Sequence, residues 1–458
     1  MYCAVSSVFH RQERIFFQPT STAHTHIKDP VFVYLHQRGK TRRMRRSLFL
    51  ASSRMFVLGE RDVRRALTWD DCLEVNRKAY KALAIGKAAY VPSRLGVTYP
   101  NHPHEMQSSI AEAQDWTLIK PAAFYGNGSS HGHAREKDGG GLCNHDMAIG
   151  LKLVSVRANN PSLGLPLVPA TISLVDPASG MVNATISGTH LTVARTSAGP
   201  ALAVQTFKPK AEHLVVFGAG AQAECHIQLM QWAVGHPHTP SSSSLAEDPH
   251  TIKKITIVNR SWDRAEKLQR SLQEEFAQQG KTCTVSVILL DDLSAKKQAL
   301  QSADVIATTT NSSSPLWSDE DDIHLQPGCL ITSIGSYTPN MIEIPNSVVN
   351  RSYVLVDTAD AVNVGDLKHL GVDPSQLNVA SSRKDTEHKP THPMKLFGTA
   401  LANPACVALA HPDNSDSGNR IDCIFYKAVG TAIQDVLTAR LVVKRAKSLG
   451  MGQEVDMT

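Results

Sequence analysis

Chemistry is most legible in the run Gly218-Ala219-Gly220-Ala221-Gln222-Ala223. It follows the almost wholly apolar His213–Phe217, which reads as a strand buried on both faces, and it opens a helix near Gln222. In that order Gly218 permits a tight turn, Gly220 lets the backbone approach a pyrophosphate, and Ala223 is small enough for helix to pack on strand. The helix N-terminus then offers unpaired N–H groups to phosphate oxygens. The run predicts a dinucleotide site built from Gly218, Ala219, Gly220, Ala221 and Gln222.

The next strand, Lys254–Val258, ends in Asn259-Arg260-Ser261, where an acidic residue would grip the 2′-hydroxyl of an NAD ribose. None is present at that tip. Arg260 and Ser261 suit a 2′-phosphate, so NADP(H) is preferred and NAD(H) is the alternative; the plain alternative for Arg260 is a solvated charge at a strand end. Further strands at Val305–Thr309 and Leu330–Ile334 should bring Thr308, Thr309, Ser333 and Gly335 to the border of the nicotinamide crevice. Away from this turn, Lys152 and Arg195 interrupt otherwise apolar segments, a costly placement for a charge without a partner.

These residues need elements to hold them. From His213 the pattern runs strand, glycine turn, helix, strand, helix, strand, as a doubly wound parallel sheet requires. Before it, Met55–Leu58, Leu151–Val156, Leu167–Leu174 and Met181–Ile186 read as strands, Asp62–Ala84 as helices, and Thr192–Phe207 as an alanine-rich helix. The fold class is α/β: a Rossmann-type doubly wound dinucleotide-binding domain plus a preceding α+β domain. The expected boundaries are 1–54 for a basic extension, 55–190 for the α+β domain and 191–365 for the Rossmann domain. A loop-rich insertion at 366–420 and a C-terminal helix at 421–458 complete the chain.

The net charge of +5 on 458 residues invites a nucleic-acid reading until its location is examined. Residues 1–54 hold ten Lys/Arg against two acids, so the rest carries a small acidic excess and gives phosphate-backbone binding no support. That N-terminal stretch reads as a disordered tail, a transit peptide, or sequence ahead of a true start at Met55. The cytoplasm is the expected compartment, with the mitochondrion as alternative if the stretch is a transit peptide. No membrane partner is expected, because no run of about 18 apolar residues occurs. Eight cysteines without a CxxC pair fit unpaired thiols in a reducing compartment. His131, His133, Cys143 and His145 are zinc-ligand types, but the intervening glycines and irregular spacing read as a flexible loop, so no metal is expected.

Taken together, the segments Val91–Arg94, Gly150–Val154, Asn160-Pro161, Gly164–Pro166, Ser187-Gly188, Thr192–Thr196, the glycine turn, Ala303–Ile306, and Phe425–Gly430 with Asp435 resemble the ornithine cyclodeaminase/mu-crystallin family. The resemblance runs from about Met55 to Gly452. It implies a homodimer in which the α+β domain is a discontinuous substrate and dimerisation domain, the C-terminal helix returning to it, together with an α-amino or α-imino acid substrate and a substrate-carboxylate cluster at Arg94, Lys152 and Arg195. The chemistry is apt, since a guanidinium grips a carboxylate bidentately and an ammonium adds charge and a transferable proton. Lys120 stands where other members often carry an apolar residue and should face the same pocket. Where cyclodeaminases carry a basic Asp, this sequence has Tyr337, a poor base at neutral pH. Met341 replaces an expected lysine, and Leu167 a small polar residue. The reading is hydride transfer to or from the C–N bond of an imino or amino acid, with Tyr337 shaping the pocket or relaying a proton. The alternatives are a cyclodeaminase making proline and ammonia from L-ornithine, or a non-catalytic NADPH or ligand binder.

Overall fold

In the computed structural model of the chain the described residues are 54–86, 88–98, 115–126, 147–236, 251–321, 323–377, 392–407 and 421–457. His131, His133, Cys143 and His145 lie outside them, as does nearly all of the basic N-terminal stretch. Two sheets organise the rest. The first is built from β1 (Arg54–Leu58), β2 (Ala89–Tyr90), β3 (Leu95–Thr98), β4 (Trp116–Phe124), β5 (Ala148–Val156), β6 (Ala170–Val175) and β7 (Val182–Ser187). Helices α1 (Glu60–Ala66) and α2 (Trp69–Ile85) intervene after β1, and α3 (Thr189–Phe207) follows β7. The strand expected over Leu167–Leu174 begins only at Ala170, because Pro166 and Pro169 cannot donate to a ladder and Leu167 stays exposed.

Alternation on β5 sets the first half of the site. Ala148, Gly150, Lys152 and Val154 point inward, whereas Leu151 and Leu153 point out. β4 pairs antiparallel with β5 in a register that puts Lys120 directly opposite Lys152.

The second sheet holds β8 (His213–Phe217), β9 (Lys254–Asn259), β10 (Thr284–Leu289), β11 (Val305–Thr308), β12 (Cys329–Ser333), β13 (Ser352–Val356), β14 (Met394–Leu396) and β15 (Cys423–Lys427). Its order is β10-β9-β8-β11-β12-β15-β13-β14, and every pairing is parallel. β8 and β15 are buried at all five positions, as strands covered on both faces require. Helix α4 (Ala221–Gly235) follows β8, α5 (Trp262–Gln278) follows β9, α6 (Leu293–Gln301) follows β10, and the short α7 (Asn346–Asn350) and α8 (Phe397–Ala402) complete the set. The winding reverses between β8 and β11, which places a crevice outside their carboxyl ends.

Two features differ from expectation. The 366–420 stretch contributes β14 and α8, so it is not loop throughout. The segment from 421 first gives β15 to the parallel sheet; only then do α9 (Ala432–Ser448) and β16 (Gln453–Asp456) return, β16 pairing with β1. No helix among the described residues is long and apolar enough to cross a membrane.

Candidate active site

Helix α9 opens at Thr431, whose amide donates to Gln434 Oε1 at 3.3 Å. Asp435 therefore lies in the first turn, where the positive end of the helix favours a carboxylate. Its Oδ1 accepts from Lys152 Nζ and from Arg195 Nε, both at 2.8 Å, and all three side chains are buried. Lys152 also donates to Thr192 Oγ1 at 3.3 Å, one helical turn from Arg195 on α3. Burial opposes the charge on Asp435, but Arg195, Lys152 and Lys120 hold its carboxyl below the ordinary range. Burial and then the Arg195 guanidinium push Lys152 well below the usual lysine value. The second oxygen, Asp435 Oδ2, is buried without a hydrogen-bond partner among the described residues.

The loop after β15 joins this cluster to the end of the parallel sheet. Gly430 has φ +76°, and a Cβ there would lie 2.6 Å from Arg195 Nη1, so a side chain is excluded. Asp357, at the end of β13, fixes the loop by accepting from the amides of Val429 (3.1 Å) and Gly430 (2.7 Å). Lys120 Nζ donates to the Gly430 carbonyl at 3.2 Å.

Arg94 is exposed between β2 and β3, and its charge acts on both Lys120 and Tyr337. Tyr337 follows β12 and meets Trp116 of β4 edge-on at 6.2 Å, so the crevice of one sheet opens onto the other. Burial pushes the Tyr337 phenol up, away from the range of a neutral-pH base.

At the dinucleotide turn Gly218 has φ +111°, and a Cβ would meet Thr309 Oγ1 at 2.6 Å. Thr309 in turn donates to the Phe217 carbonyl at 2.8 Å. Ala219 and the exposed Gly220 and Ala221 follow, and space beside Gly220 is open for 4 Å around a Cβ. No side chain caps α4, and Gln222 Oε1 is buried without a partner. Uncapped amides and open space together fit a bound pyrophosphate. At the tip of β9, Asn259 Nδ2 donates to the Ser261 carbonyl at 2.8 Å, Ser261 caps α5, and Arg260 is exposed.

Thr308 and Ser333 do not present free hydroxyls to the crevice. Both approach Glu343 Oε2, at 2.9 and 3.0 Å, and the Gly335 amide donates to the same oxygen at 2.9 Å. Asp366 Oδ2 lies 2.8 Å from Ser333 Oγ and 3.2 Å from Lys427 Nζ. Glu343, Asp366 and Lys427 form a buried lattice under the crevice that the sequence reading overlooked. Its one available signal was a lysine ending the apolar Cys423–Lys427. Asp435 was noticed as part of the family pattern but not as a site residue. Among the described residues no group of three or more His, Cys, Asp or Glu could hold a metal ion.

Comparison with known proteins gives this geometry a context. The model of the ornithine cyclodeaminase/mu-crystallin family matches residues 141–381. A Dictyostelium discoideum protein named as an uncharacterized cyclodeaminase is 28% identical over 324 residues, covering 68% of this chain and 79% of its own. A delta(1)-pyrroline-2-carboxylate reductase of Bacillus cereus is 26% identical over 313 residues, 68% of this chain and 81% of that one. Among solved structures, the Thermococcus litoralis delta(1)-pyrroline-2-carboxylate reductase in complex with NADH and L-proline aligns with a TM-score of 0.61 at 20% identity. That alignment covers 88% of this chain and 100% of the other, and it shows a shared fold.

Proposed function

The chain belongs to the ornithine cyclodeaminase/mu-crystallin family, and on that premise we propose that it is an NAD(P)-dependent oxidoreductase acting on the C–N bond of an imino or amino acid. The observation that carries the reading is the buried Lys152–Asp435–Arg195 cluster at the carboxyl ends of a parallel sheet that also bears a vacant-capped glycine turn. The glycine turn and α4 N-terminus would hold a nicotinamide dinucleotide, NADP(H) preferred because Arg260 rather than an acid stands at the tip of β9. When bound in reduced form it supplies a hydride.

The protein's own groups do the rest. Arg195 presents Nη2, which makes no hydrogen bond among the described residues, and with Arg94 it grips the substrate carboxylate. Asp435 Oδ2 is placed to accept from the N–H that forms once the imine nitrogen is protonated, which holds the C=N group in place. Lys152, its proton loosened by burial and Arg195, donates to the nitrogen as the carbon is reduced, so imine, hydride and proton give the amine. Tyr337 against Trp116 walls the pocket. Leu151 and Leu153, with Leu95 and Val97, leave an apolar outer face on the first sheet, and that face fits a second copy of the chain.

The test is spectrophotometric, with NADPH or NADH offered against pyrroline-2-carboxylate and piperideine-2-carboxylate, and L-ornithine with NAD scored for proline and ammonia. Steady loss of reduced cofactor, abolished by Lys152→Ala, is the expected result. Proline formed with no net cofactor change would replace the reductase reading with a cyclodeaminase. Tight cofactor binding with no turnover would leave a binder.

A further inference from the structure

The cluster contains more positive charge than the reading above uses. Lys120, Lys152 and Arg195 are all buried, and Lys120 and Lys152 face each other across the β4–β5 ladder, a pairing of like charges that destabilises a sheet. Asp435 compensates two of the three, because its Oδ1 is in contact with Lys152 and Arg195. Lys120 has no carboxylate within ion-pair distance among the described residues. Its ammonium carries three N–H donors and makes one hydrogen bond, to the Gly430 carbonyl. The other nearby acid, Asp357, spends Oδ2 on the Val429 and Gly430 amides. Burial and then Arg195 bring Lys120 down to about 8, which still leaves it protonated at neutral pH. A buried cation lacking a counter-ion is costly unless a ligand provides one.

Lys427 makes the contrast plain. It is buried as well, but Asp366 sits at 3.2 Å and Ser333 at 3.0 Å, so its charge is matched within the protein. At Lys120 no matching carboxylate stands among the described residues, and the lysine is on the same face of the sheet as Lys152 of the carboxylate-gripping cluster.

We propose that Lys120 binds a second anionic group, so that the preferred substrate is a short imino or amino acid with two carboxylates, one held by Arg195 and Arg94 and the other by Lys120. This rests on the oxidoreductase reading for the word substrate, but not for the second anion site itself. Residues directly opposite on one face of an antiparallel pair have their Cβ atoms about 5 Å apart, so an anion at Lys120 lies near the group served by Lys152, and a four- or five-carbon chain suits that short reach.

Calorimetric titration of the NADPH-loaded protein with succinate and with butyrate separates the two ideas, since neither compound reacts. Succinate should bind at least about tenfold more tightly than butyrate, a preference that falls toward unity in Lys120→Met and returns in Lys120→Arg. The kcat/KM ratio for imines formed in solution from oxaloacetate and from pyruvate with ammonium should follow the same order across the three proteins, chiefly through KM. Equal binding of the two acids, binding of neither, or a ratio indifferent to Lys120→Met overturns the proposal. Intact discrimination without turnover of any imine would instead sink the oxidoreductase reading and leave the second anion site standing.

Discussion

Lys152 and Asp435 are 283 residues apart in the chain and 2.8 Å apart in the fold, both without solvent exposure. One comes from the middle of a strand in the first sheet, the other from the first turn of the helix that returns after the parallel sheet is complete. Their contact, with Arg195 on the same oxygen, ties the two halves of the molecule together at the place where chemistry is assigned.

Removing that carboxylate's charge leaves Lys152 and Arg195 buried without compensation. Asp435→Asn should cost about 3–5 kcal/mol in chemical unfolding. It should also lower kcat/KM on the order of a hundredfold, because Lys152 loses the group that holds it toward the substrate nitrogen. A structural role alone would stop there. If Asp435 also keeps Lys152 protonated, the variant's alkaline limb in the kcat/KM–pH profile moves to lower pH, since burial and Arg195, which both lower the lysine, then act unopposed by the carboxylate. An unmoved limb would confine Asp435 to stability.

His226 sets an acid limit on the fold. Its Nδ1 lies 2.7 Å from the Gln222 carbonyl and 2.9 Å from Ser197 Oγ, so Nδ1 carries the hydrogen and Nε2 is left buried without a partner. Burial pushes the ring down to about 4 from an ordinary 6.5, against the pull of the Gln222 carbonyl. Between those values the unfolded chain binds more protons than the folded one. Stability therefore rises as pH goes from 4 to 6.5 and is lost on acidification through that window, by on the order of 3 kcal/mol from this group. Urea unfolding at pH 7 and pH 4 should show a smaller acid loss in His226→Gln than in the parent. Equal losses would mean that His226 titrates normally in the fold.

What the sequence made legible follows from where the signal is local. Gly218 to Ala223 sit between a strand and a helix, so their spacing alone describes a turn, and the structure shows the uncapped helix and positive φ that such a turn needs. Lys152 and Arg195 were visible because a charge inside an apolar segment needs a partner. The identity of that partner was not visible, because Asp435 reaches them through tertiary packing over hundreds of residues. Thr308 and Ser333 show the same limit: strand-end position places them at the border of the crevice, while the partners of their hydroxyls, Glu343 for both and Asp366 for Ser333, come from later segments that strand position does not reveal. Pro166 and Pro169 were local and still underweighted, and they delay β6 by three residues relative to the apolar pattern.

The proposed preference for NADP(H) rests on one exposed side chain. β9 ends at Asn259, whose amide fixes the turn by donating to the Ser261 carbonyl, and Ser261 then caps α5 through a long 3.5 Å contact from the Arg264 amide. Arg260 projects between them with no acidic residue at the tip to repel a phosphate. A guanidinium in that position meets a 2′-phosphate with charge-assisted hydrogen bonds and has nothing comparable to offer a 2′-hydroxyl. Arg260→Ala should therefore weaken NADPH by about tenfold in a fluorescence titration while NADH changes by less than about twofold. The NADPH affinity of the parent should also fall more steeply with added salt than that of the variant, because the interaction is exposed and screened. Parallel losses for both cofactors, or none for either, would reduce Arg260 to a solvated charge at a strand end and leave NAD(H) as the better match to this site.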